Sequence, residues 1–197
     1  MRGRPPRLGT GATQPPQRVR ARGAGPGTGR AAARGAQPET NGLLGRVYKD
    51  QWKEALAAGR TAQARGLLDR AIKTYRAGFE ADWRDHYPGI NALQLMVQRD
   101  PEDPEIAALL PVLRYAVNRK IGRGHGDYWD YATALELAVL AADAAAAHAA
   151  LAQALAEKTE PWMLKTTRET LEMLVAGWEK RGMETGWVRE LVRELEG

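Results

Sequence analysis

The sequence predicts an all-α protein, an α-solenoid of about eight helices behind a basic tail, and three observations lead to this prediction. Apolar residues recur at helical spacing in the segments that follow residue 38. No segment alternates apolar and polar side chains with period two over the length of a strand. Pairs of predicted helices begin near residues 40, 88, 127 and 161, at irregular intervals close to those of helical repeats.

The first predicted helix pair covers residues 39–81. Its first helix ends at Gly59 and carries one apolar stripe with three more apolar residues beside it: Leu44, Tyr48, Trp52 and Ala55, flanked by Leu43, Val47 and Leu56. The second helix has an apolar face opposite its charges, made of Leu67, Leu68, Ala71, Ile72, Tyr75 and Phe79. The spacing of Ala71, Tyr75 and Gly78 is similar to that of the second tetratricopeptide helix, so we expect a degenerate tetratricopeptide-like repeat.

Proline and aspartate mark the starts of the third and fourth helices. Pro88 suits the first turn of the third helix, because proline is tolerated where backbone N–H groups have no helical partner. Asp103 is the predicted N-cap of the fourth helix, with Pro104 at its first position. The glycine-rich residues 122–126 predict a flexible connector after this helix.

The segment from Asp127 to Asp143 is the predicted central helix. Asp127 can cap its start, and between residues 131 and 142 only Thr133 and Glu136 are polar. A helix that is apolar on nearly every side has to be buried on nearly every side, so the other helices should pack around it. Asp143 is the predicted N-cap of the next helix, because without a break there the helix would be about 46 Å long.

Three helices complete the predicted fold. The Ala-rich helix after Asp143 contains His148, which we expect to be buried. Thr159-Glu160-Pro161 begins the next helix, and Gly182 ends it. The last helix has one apolar face, formed by Trp187, Val188, Leu191, Val192 and Leu195.

Charge is distributed unevenly along the chain. Residues 1–40 contain eight arginines and one acid, a net charge of +7, which leaves −2 for residues 41–197 out of the total of +5. Residues 1–38 contain few large apolar side chains and cannot offset chain entropy by burial, so they are a predicted disordered segment separate from the domain at 39–197. The mildly acidic domain gives no indication of a nucleic-acid-binding surface.

The basic segment has three interpretations. It is a passive tail, or an arm that binds RNA or an acidic surface through dipeptides such as Arg22-Gly23 and Arg34-Gly35. Its composition is also what GC-rich codons yield when they are read in the wrong frame or from a mis-set start, which would make it non-native. Nucleic-acid binding is expected only through this segment.

Several classes of function lack support in the sequence. The chain has no cysteine, which excludes disulfides and thiolate chemistry. It has no apolar run of about 20 residues and no secretory signal, so we expect a cytoplasmic protein without membrane contact. Asp82, Asp85 and His86 resemble a loose metal set, but no second histidine has ligand spacing. We therefore predict no enzyme activity, no catalytic residue, no metal and no cofactor.

Four stretches in the order of the chain carry a family resemblance: Gly45–Asp50, Tyr87–Ala92, Tyr128–Asp130 with the following helix, and Pro161-Trp162. Together they resemble the TRAFs-binding domain of the MAP kinase kinase kinases called apoptosis signal-regulating kinases. The resemblance covers about residues 40–180. It is closer to the bacterial members of the family, through Glu80–Trp83, Leu110–Val112 and Asp127–Asp130.

The resemblance implies a tetratricopeptide-like domain that binds proteins in signalling assemblies, in the animal kinases through TRAF adaptors. The bacterial relatives are thought to act in signalling or immune-conflict systems, which implies an alternative, a sensor that binds a nucleotide-derived ligand in the concave groove. Relatives usually continue the repeats upstream of the first helix found here. Without such repeats the outer face of helix 40–57 lacks a neighbour, and this predicts self-association.

The candidate ligand- or partner-binding residues lie in four places: Arg46, Lys49 and Asp50 on the first helix, Asp82 and Trp83 in a loop, Tyr87 and Asn91 at the third helix, and Asp127, Tyr128, Trp129 and Asp130 at the fifth. The residues of the first helix either form a site or an ordinary solvated face. Asn91 either contacts a ligand or satisfies free backbone groups at the helix start.

The cluster at the start of the fifth helix also has two interpretations. Tyr128 and Trp129 could stack on a base or sugar of a ligand, while Asp127 and Asp130 accept its hydroxyl groups. Alternatively, the aromatic residues anchor the helix in the core and the two acids cap it.

Overall fold

The computed structural model describes residues 38–196, with side chains from Thr40, and it confirms the all-α prediction. Within these residues there are eight α-helices and no strand. The helices are α1 (Pro38–Ala57), α2 (Thr61–Ala81), α3 (His86–Arg99), α4 (Pro104–Lys120), α5 (Tyr128–Leu140), α6 (Ala144–Ala156), α7 (Pro161–Glu179) and α8 (Gly186–Glu194). The predictions about the basic segment concern residues 1–38, of which 1–37 lie outside the described part, while Pro38 is the first residue of α1. None of the described helices is long and apolar enough to cross a membrane.

Several helix starts confirm the predicted capping residues. Asp103 accepts a hydrogen bond from the backbone N–H of Glu105 at 3.0 Å and caps α4. Asp143 accepts one from the backbone N–H of Ala146 at 3.0 Å, so the predicted break between α5 and α6 is present. Pro88 lies in the first turn of α3, as predicted.

Two local predictions were wrong. The glycine-rich segment after α4, predicted as a flexible connector, contains a π-helical turn, Ile121–His125, within which Gly124 has a positive φ of 71°. His148 is exposed, and its Nδ1 lies 2.8 Å from the carbonyl oxygen of Ala144. Most residues of α6 are alanine, so the spacing of apolar residues in the sequence does not show which side of the helix faces the core.

Helices α1 and α2 pack in antiparallel orientation. A Cβ atom on Gly45 would lie 2.7 Å from the Tyr75 ring, and one on Gly78 would lie 3.1 Å from the Cβ of Asn41. Residues late in α2 therefore contact residues early in α1. The close approach at Gly45 requires glycine, because a larger residue would overlap the tyrosine ring.

The odd-numbered helices α1, α3 and α5 run parallel to one another. Early residues of each helix contact early residues of the next, and later residues contact later ones. The paired residues are Gly42 with Tyr87 and Lys49 with Asn91 for α1 and α3, and His86 with Asp130 and Gln94 with Glu136 for α3 and α5. Side-by-side parallel helices, each followed by an antiparallel one, are typical of helical repeats.

Helix α7 follows the same direction. Trp162 near its start contacts Trp129 near the start of α5, with ring centroids 5.6 Å apart. Gln98 near the end of α3 donates a hydrogen bond at 3.1 Å to the carbonyl of Met173, in the second half of α7. The starts of α3, α5 and α7 therefore lie at the same end of the domain.

Helices α3 and α5 form the centre of the fold. The predicted burial of α5 is confirmed, since most of its residues from Tyr128 to Val139 are buried. Helix α3 is buried as completely and contributes to three apolar clusters, through Leu95 with α1 and α2, Leu93 with α2, α4 and α5, and Val97 with α5 to α8. The sequence indicated only α5 as central, because α3 also buries polar residues.

Candidate functional site

Polar side chains of α1, α3 and α5 meet inside the domain and form what we call the buried polar network, Lys49, Asn91, Gln94 and Glu136. Lys49 donates a hydrogen bond to Asn91 Oδ1 at 2.8 Å. Asn91 in turn donates to the backbone carbonyl of Tyr87 at 2.9 Å. Gln94, one turn further along α3, donates to Glu136 at 2.5 Å. The network thus links three helices.

The two charged members of the network have shifted pKa values. Burial lowers the pKa of Lys49 to about 8, and repulsion from Lys53 acts in the same direction. Burial raises the pKa of Glu136 to about 7, against the attraction of Lys49 and the hydrogen bond from Gln94. Both groups therefore change protonation close to neutral pH. Between the two pKa values both are mostly charged and attract each other.

The solvated-face interpretation of the first helix was wrong for Lys49. Lys49 is half-buried and points its ammonium group to α3. Arg46 and Asp50 do lie on the exposed side, where they form an ion pair at 3.9 Å. The three residues are one turn apart in sequence, but only Lys49 faces the interior.

Two buried polar atoms near the network have no hydrogen-bond partner among the described residues. They are the side-chain oxygen of Gln94 and the hydroxyl of Tyr75. Burial, together with the neighbouring Tyr87, raises the pKa of Tyr75. Asn91 itself bonds both Lys49 and the backbone at the start of α3, so it does satisfy a backbone group there.

The acids at the start of α5 cap the helix. Asp127 accepts hydrogen bonds from the backbone N–H groups of Trp129 and Asp130, at 2.9 and 3.2 Å. The side chain of Asp130 accepts the backbone N–H of Asp127 at 2.9 Å, which completes a capping box.

Asp130 also connects three helices. Its fully buried carboxylate accepts hydrogen bonds from Lys120 at the end of α4 (2.7 Å) and from His86 at the start of α3 (2.6 Å). Burial opposes ionisation of Asp130, yet the hydrogen bonds from Lys120, the Asp127 backbone and His86 lower its pKa. The local sequence around His86 resembles a metal set and gives no sign of this contact, because Asp130 lies 44 residues further along the chain.

The two aromatic residues at the start of α5 differ in exposure. Tyr128 is buried, and its hydroxyl hydrogen-bonds Thr167 of α7 at 2.8 Å, so it anchors the helix in the core. Trp129 is 36% exposed and contacts the rings of Tyr128 and Trp162. Only Trp129 of this pair is available to a ligand or partner.

Three exposed aromatic residues occupy the same position in three parallel helices. Tyr87, Trp129 and Trp162 are the second residues of α3, α5 and α7, and they are 46%, 36% and 50% exposed. We call these three residues the aromatic rim. They lie at one end of the domain, since the three helices start there. Trp162 was part of the family resemblance but was not among the candidate site residues.

Asp82 and Trp83 lie in the loop between α2 and α3. Asp82 forms an ion pair with Arg84 at 2.7 Å, and its hydrogen bonds with Arg84 lower its pKa. Trp83 is 67% exposed. Among the described residues, no three His, Asp or Glu side chains are grouped closely enough to hold a metal ion.

Comparison with known proteins places this arrangement in a family. The model of the MAP3K TRAFs-binding domain matches residues 31–190. The chain belongs to this family. The match includes α1 to α7 and all the candidate site residues, and it confirms the resemblance seen in the motifs. A TRAFs-binding domain is a protein-interaction module.

One relative is the mitogen-activated protein kinase kinase kinase nsy-1 of Caenorhabditis elegans. It is 30% identical over 142 residues, which is 70% of this chain and 9% of that protein. The TRAFs-binding domain described here therefore corresponds to a small part of the relative's length.

Proposed function

We propose that this TRAFs-binding domain is a non-catalytic scaffold of a bacterial signalling or immune-conflict system and that it holds a protein partner against the aromatic rim. The observation that carries the proposal is the alignment of three half-exposed aromatic residues, Tyr87, Trp129 and Trp162, at one end of parallel helices. Exposed aromatic side chains are enriched among the residues that dominate protein–protein binding energy. The bacterial setting rests on the closer resemblance to bacterial family members.

The packing around the rim supports a binding role. Trp129 is held by edge-on contact with the buried ring of Tyr128, at 5.1 Å between centroids, and by contact with Trp162. A side chain that is already held in place loses little conformational entropy when a partner binds. The rim is thus a preorganised surface rather than a set of isolated exposed residues.

The experiment compares partner capture by the full chain and by two variants. Proteins retained by the wild type are identified by mass spectrometry, and the same capture is repeated with Trp129→Ala/Trp162→Ala and with Tyr115→Ala. Tyr115 of α4 is a matched control, because it is an exposed aromatic residue outside the rim and outside the candidate site residues. We expect a partner that is lost with the rim variant and kept with the control. Equal capture by all three proteins would reject the rim as the binding surface.

A ligand sensor is the second candidate, and the buried polar network favours it. The unpaired oxygen of Gln94 and the unpaired hydroxyl of Tyr75 could both be satisfied by polar groups of a nucleotide-derived molecule. Lys49, with a pKa of about 8, would supply positive charge for its phosphates. Two surface depressions, of about 200 and 290 Å³, lie elsewhere, between α2, α3 and α4 and between α7 and α8. A ligand at the network would reach it beside Lys49, which is half-buried between α1 and α3.

A thermal-shift screen tests the sensor. The full chain is screened against NAD, ADP-ribose and cyclic and linear oligonucleotides, with Lys49→Met and Trp129→Ala as variants. A ligand at 100 times its dissociation constant stabilises the folded state by about 2.7 kcal/mol, which is a clear shift in melting temperature. A shift lost with Lys49→Met places the ligand at the network, and one lost only with Trp129→Ala places it at the rim. A flat screen with a cooperatively melting protein rejects a sensor for these ligands.

We also propose that the domain self-associates through α1. Leu43, Leu44 and Val47 are 70%, 40% and 49% exposed and lie on one side of this helix. Contiguous apolar residues of this kind are typical of surfaces that bind another protein chain.

A further inference from the structure

We propose that the partner segment bound at the aromatic rim is cationic, a stretch of polypeptide that carries arginine or lysine. This inference rests on the proposed function, in which the rim is the partner's binding surface. It goes further because it names the chemistry of the segment that the rim accepts. The evidence is a repeated pairing of one acid with one aromatic residue.

Each rim residue is preceded by an acid at the N-cap of its helix. Asp85 precedes Tyr87, Asp127 precedes Trp129, and Glu160 precedes Trp162, always two positions earlier. All three acids are exposed. Because α3, α5 and α7 start at the same end of the domain, the three acids lie at the end that carries the rim.

These acids have no charged partner of their own. None of the three forms an ion pair with a cation in the described part of the chain. Two cations in the neighbouring segments are engaged, since Lys120 bonds Asp130 and Arg84 bonds Asp82. Arg123, four residues before Asp127, and Lys158, two residues before Glu160, are exposed and offset part of the charge of the three acids. Three acids against these two cations leave an excess of negative charge around the rim.

The aromatic residues are arranged to accept a cation. The rings of Trp129 and Trp162 are tilted by 40° at a centroid distance of 5.6 Å, so a cation that binds one ring lies close to the other. A guanidinium or ammonium group within about 6 Å of a ring centroid is attracted by the ring, most strongly by tryptophan. Arginine gains in addition from stacking on the ring and from bonding a carboxylate with its planar group.

An anionic partner does not fit this surface. The starts of helices attract anions because of the helix dipole, but at α3 and α5 the side chains of Asp85 and Asp127 already accept the free backbone N–H groups. A phosphate or an acidic peptide would meet three carboxylates and few open donors. Charge complementarity thus selects a basic segment.

The test measures peptide binding to the full chain by fluorescence anisotropy. The probes are a labelled peptide of repeated Gly-Ser-Arg units, the same peptide with citrulline in place of arginine, and the same peptide with glutamate. Citrulline keeps the shape of arginine without its charge. Since residues 1–34 of the chain hold eight arginines, a chain with these replaced by glutamine is measured in parallel to remove competing cations.

Three variants separate charge from aromatic contact. Asp85→Asn/Asp127→Asn/Glu160→Gln removes the charge, and asparagine is as good an N-cap as aspartate, so the helices keep their caps. Trp129→Ala/Trp162→Ala removes the rings. Glu54→Gln, an exposed carboxylate of α1, is the matched control. Of the three peptides, we expect only the arginine peptide to bind the wild type. The triple charge variant and the double ring variant should each raise its dissociation constant about tenfold, and Glu54→Gln should leave it unchanged.

The outcomes distinguish the two proposals. If the citrulline peptide binds as tightly as the arginine peptide, or the neutralised variant binds the arginine peptide as the wild type does, the cationic partner is rejected. The proposed function still stands in that case if partner capture depends on Trp129 and Trp162. If neither capture nor peptide binding responds to the loss of the two rings, both proposals fall.

Discussion

Replacing Glu136 by glutamine tests whether a buried carboxylate joins α3 to α5. Burial raises the pKa of Glu136 to about 7 from an ordinary value of 4.5, although Lys49 and Gln94 favour its charged form. Between pH 4.5 and 7 the folded state therefore holds a proton that the unfolded state has released. The free energy of unfolding must fall as the pH rises through this window, because the folded state binds more protons there.

The size of the effect follows from the two pKa values. The interval from 4.5 to about 7, at about 1.4 kcal/mol for each pH unit, corresponds to a loss of about 3 kcal/mol. Glutamine has no proton to release, so this loss should be absent in Glu136→Gln. Other carboxylates contribute equally to both proteins, which makes the difference between wild type and variant the quantity to measure.

The titration of Lys49 sets the upper limit of the pH range in which the wild type and Glu136→Gln can be compared. Burial lowers its pKa to about 8 from 10.5, so the unfolded state binds more protons between these values and stability rises across them. This slope is opposite in sign to that of Glu136. The comparison is therefore made between about pH 5 and pH 7, below the window of Lys49.

Urea unfolding followed by circular dichroism at several pH values gives the required free energies. We expect the wild type to lose about 2 kcal/mol more than Glu136→Gln between the ends of this range, since the range covers only part of the interval between the two pKa values. Glu54→Gln removes an exposed carboxylate of α1 and should keep the slope of the wild type. If Glu136→Gln declined in stability as steeply as the wild type, the carboxylate would not be buried as described and the reasoning would fail.

Three further substitutions address packing, buried charge and association. Gly45→Ala should lower the free energy of unfolding in urea by about 1–3 kcal/mol, because its Cβ would lie 2.7 Å from a tyrosine ring. Gly66→Ala is the control, since the space around Gly66 is open and alanine should stabilise α2 by about 0.5–1 kcal/mol. Equal effects of the two substitutions would contradict the close approach at Gly45. Asp130→Ala should cost about 1–3 kcal/mol, because the buried imidazole of His86 and the half-exposed ammonium of Lys120 lose their acceptor, and a melting temperature like that of the wild type would refute this. Leu43→Glu/Val47→Glu should shift sedimentation towards the monomer, and an unchanged profile would exclude α1 as the interface.

The helix boundaries could be predicted because the capping hydrogen bonds join residues that are close in sequence. Asp103 and Asp143 bond backbone groups two and three residues away, so the sequence around each position contains the whole interaction. The burial of α5 could be predicted for the same reason, since a helix of alanine, leucine and valine has no polar side to expose.

The site could be predicted only in part, because its contacts are distant in sequence. Lys49 and Asn91 are 42 residues apart, as are Gln94 and Glu136. Nothing near Gln94 distinguishes it from a surface residue. Glu136 did carry a signal, because a lone carboxylate within an apolar helix has to be buried and needs a partner.

The buried polar network sets the register of the helices that carry the aromatic rim. A shift of α3 by one turn relative to its neighbours would break the Lys49–Asn91 and Gln94–Glu136 hydrogen bonds together. A hydrogen bond to a charged group contributes about 1.5–3 kcal/mol, whereas apolar contacts would be replaced by similar ones after the shift. We infer that the network selects one register among several that the apolar clusters would tolerate. That register places the second residues of α3 and α5 at the same level along their helices, so the network contributes to the alignment of Tyr87 with Trp129 in the rim.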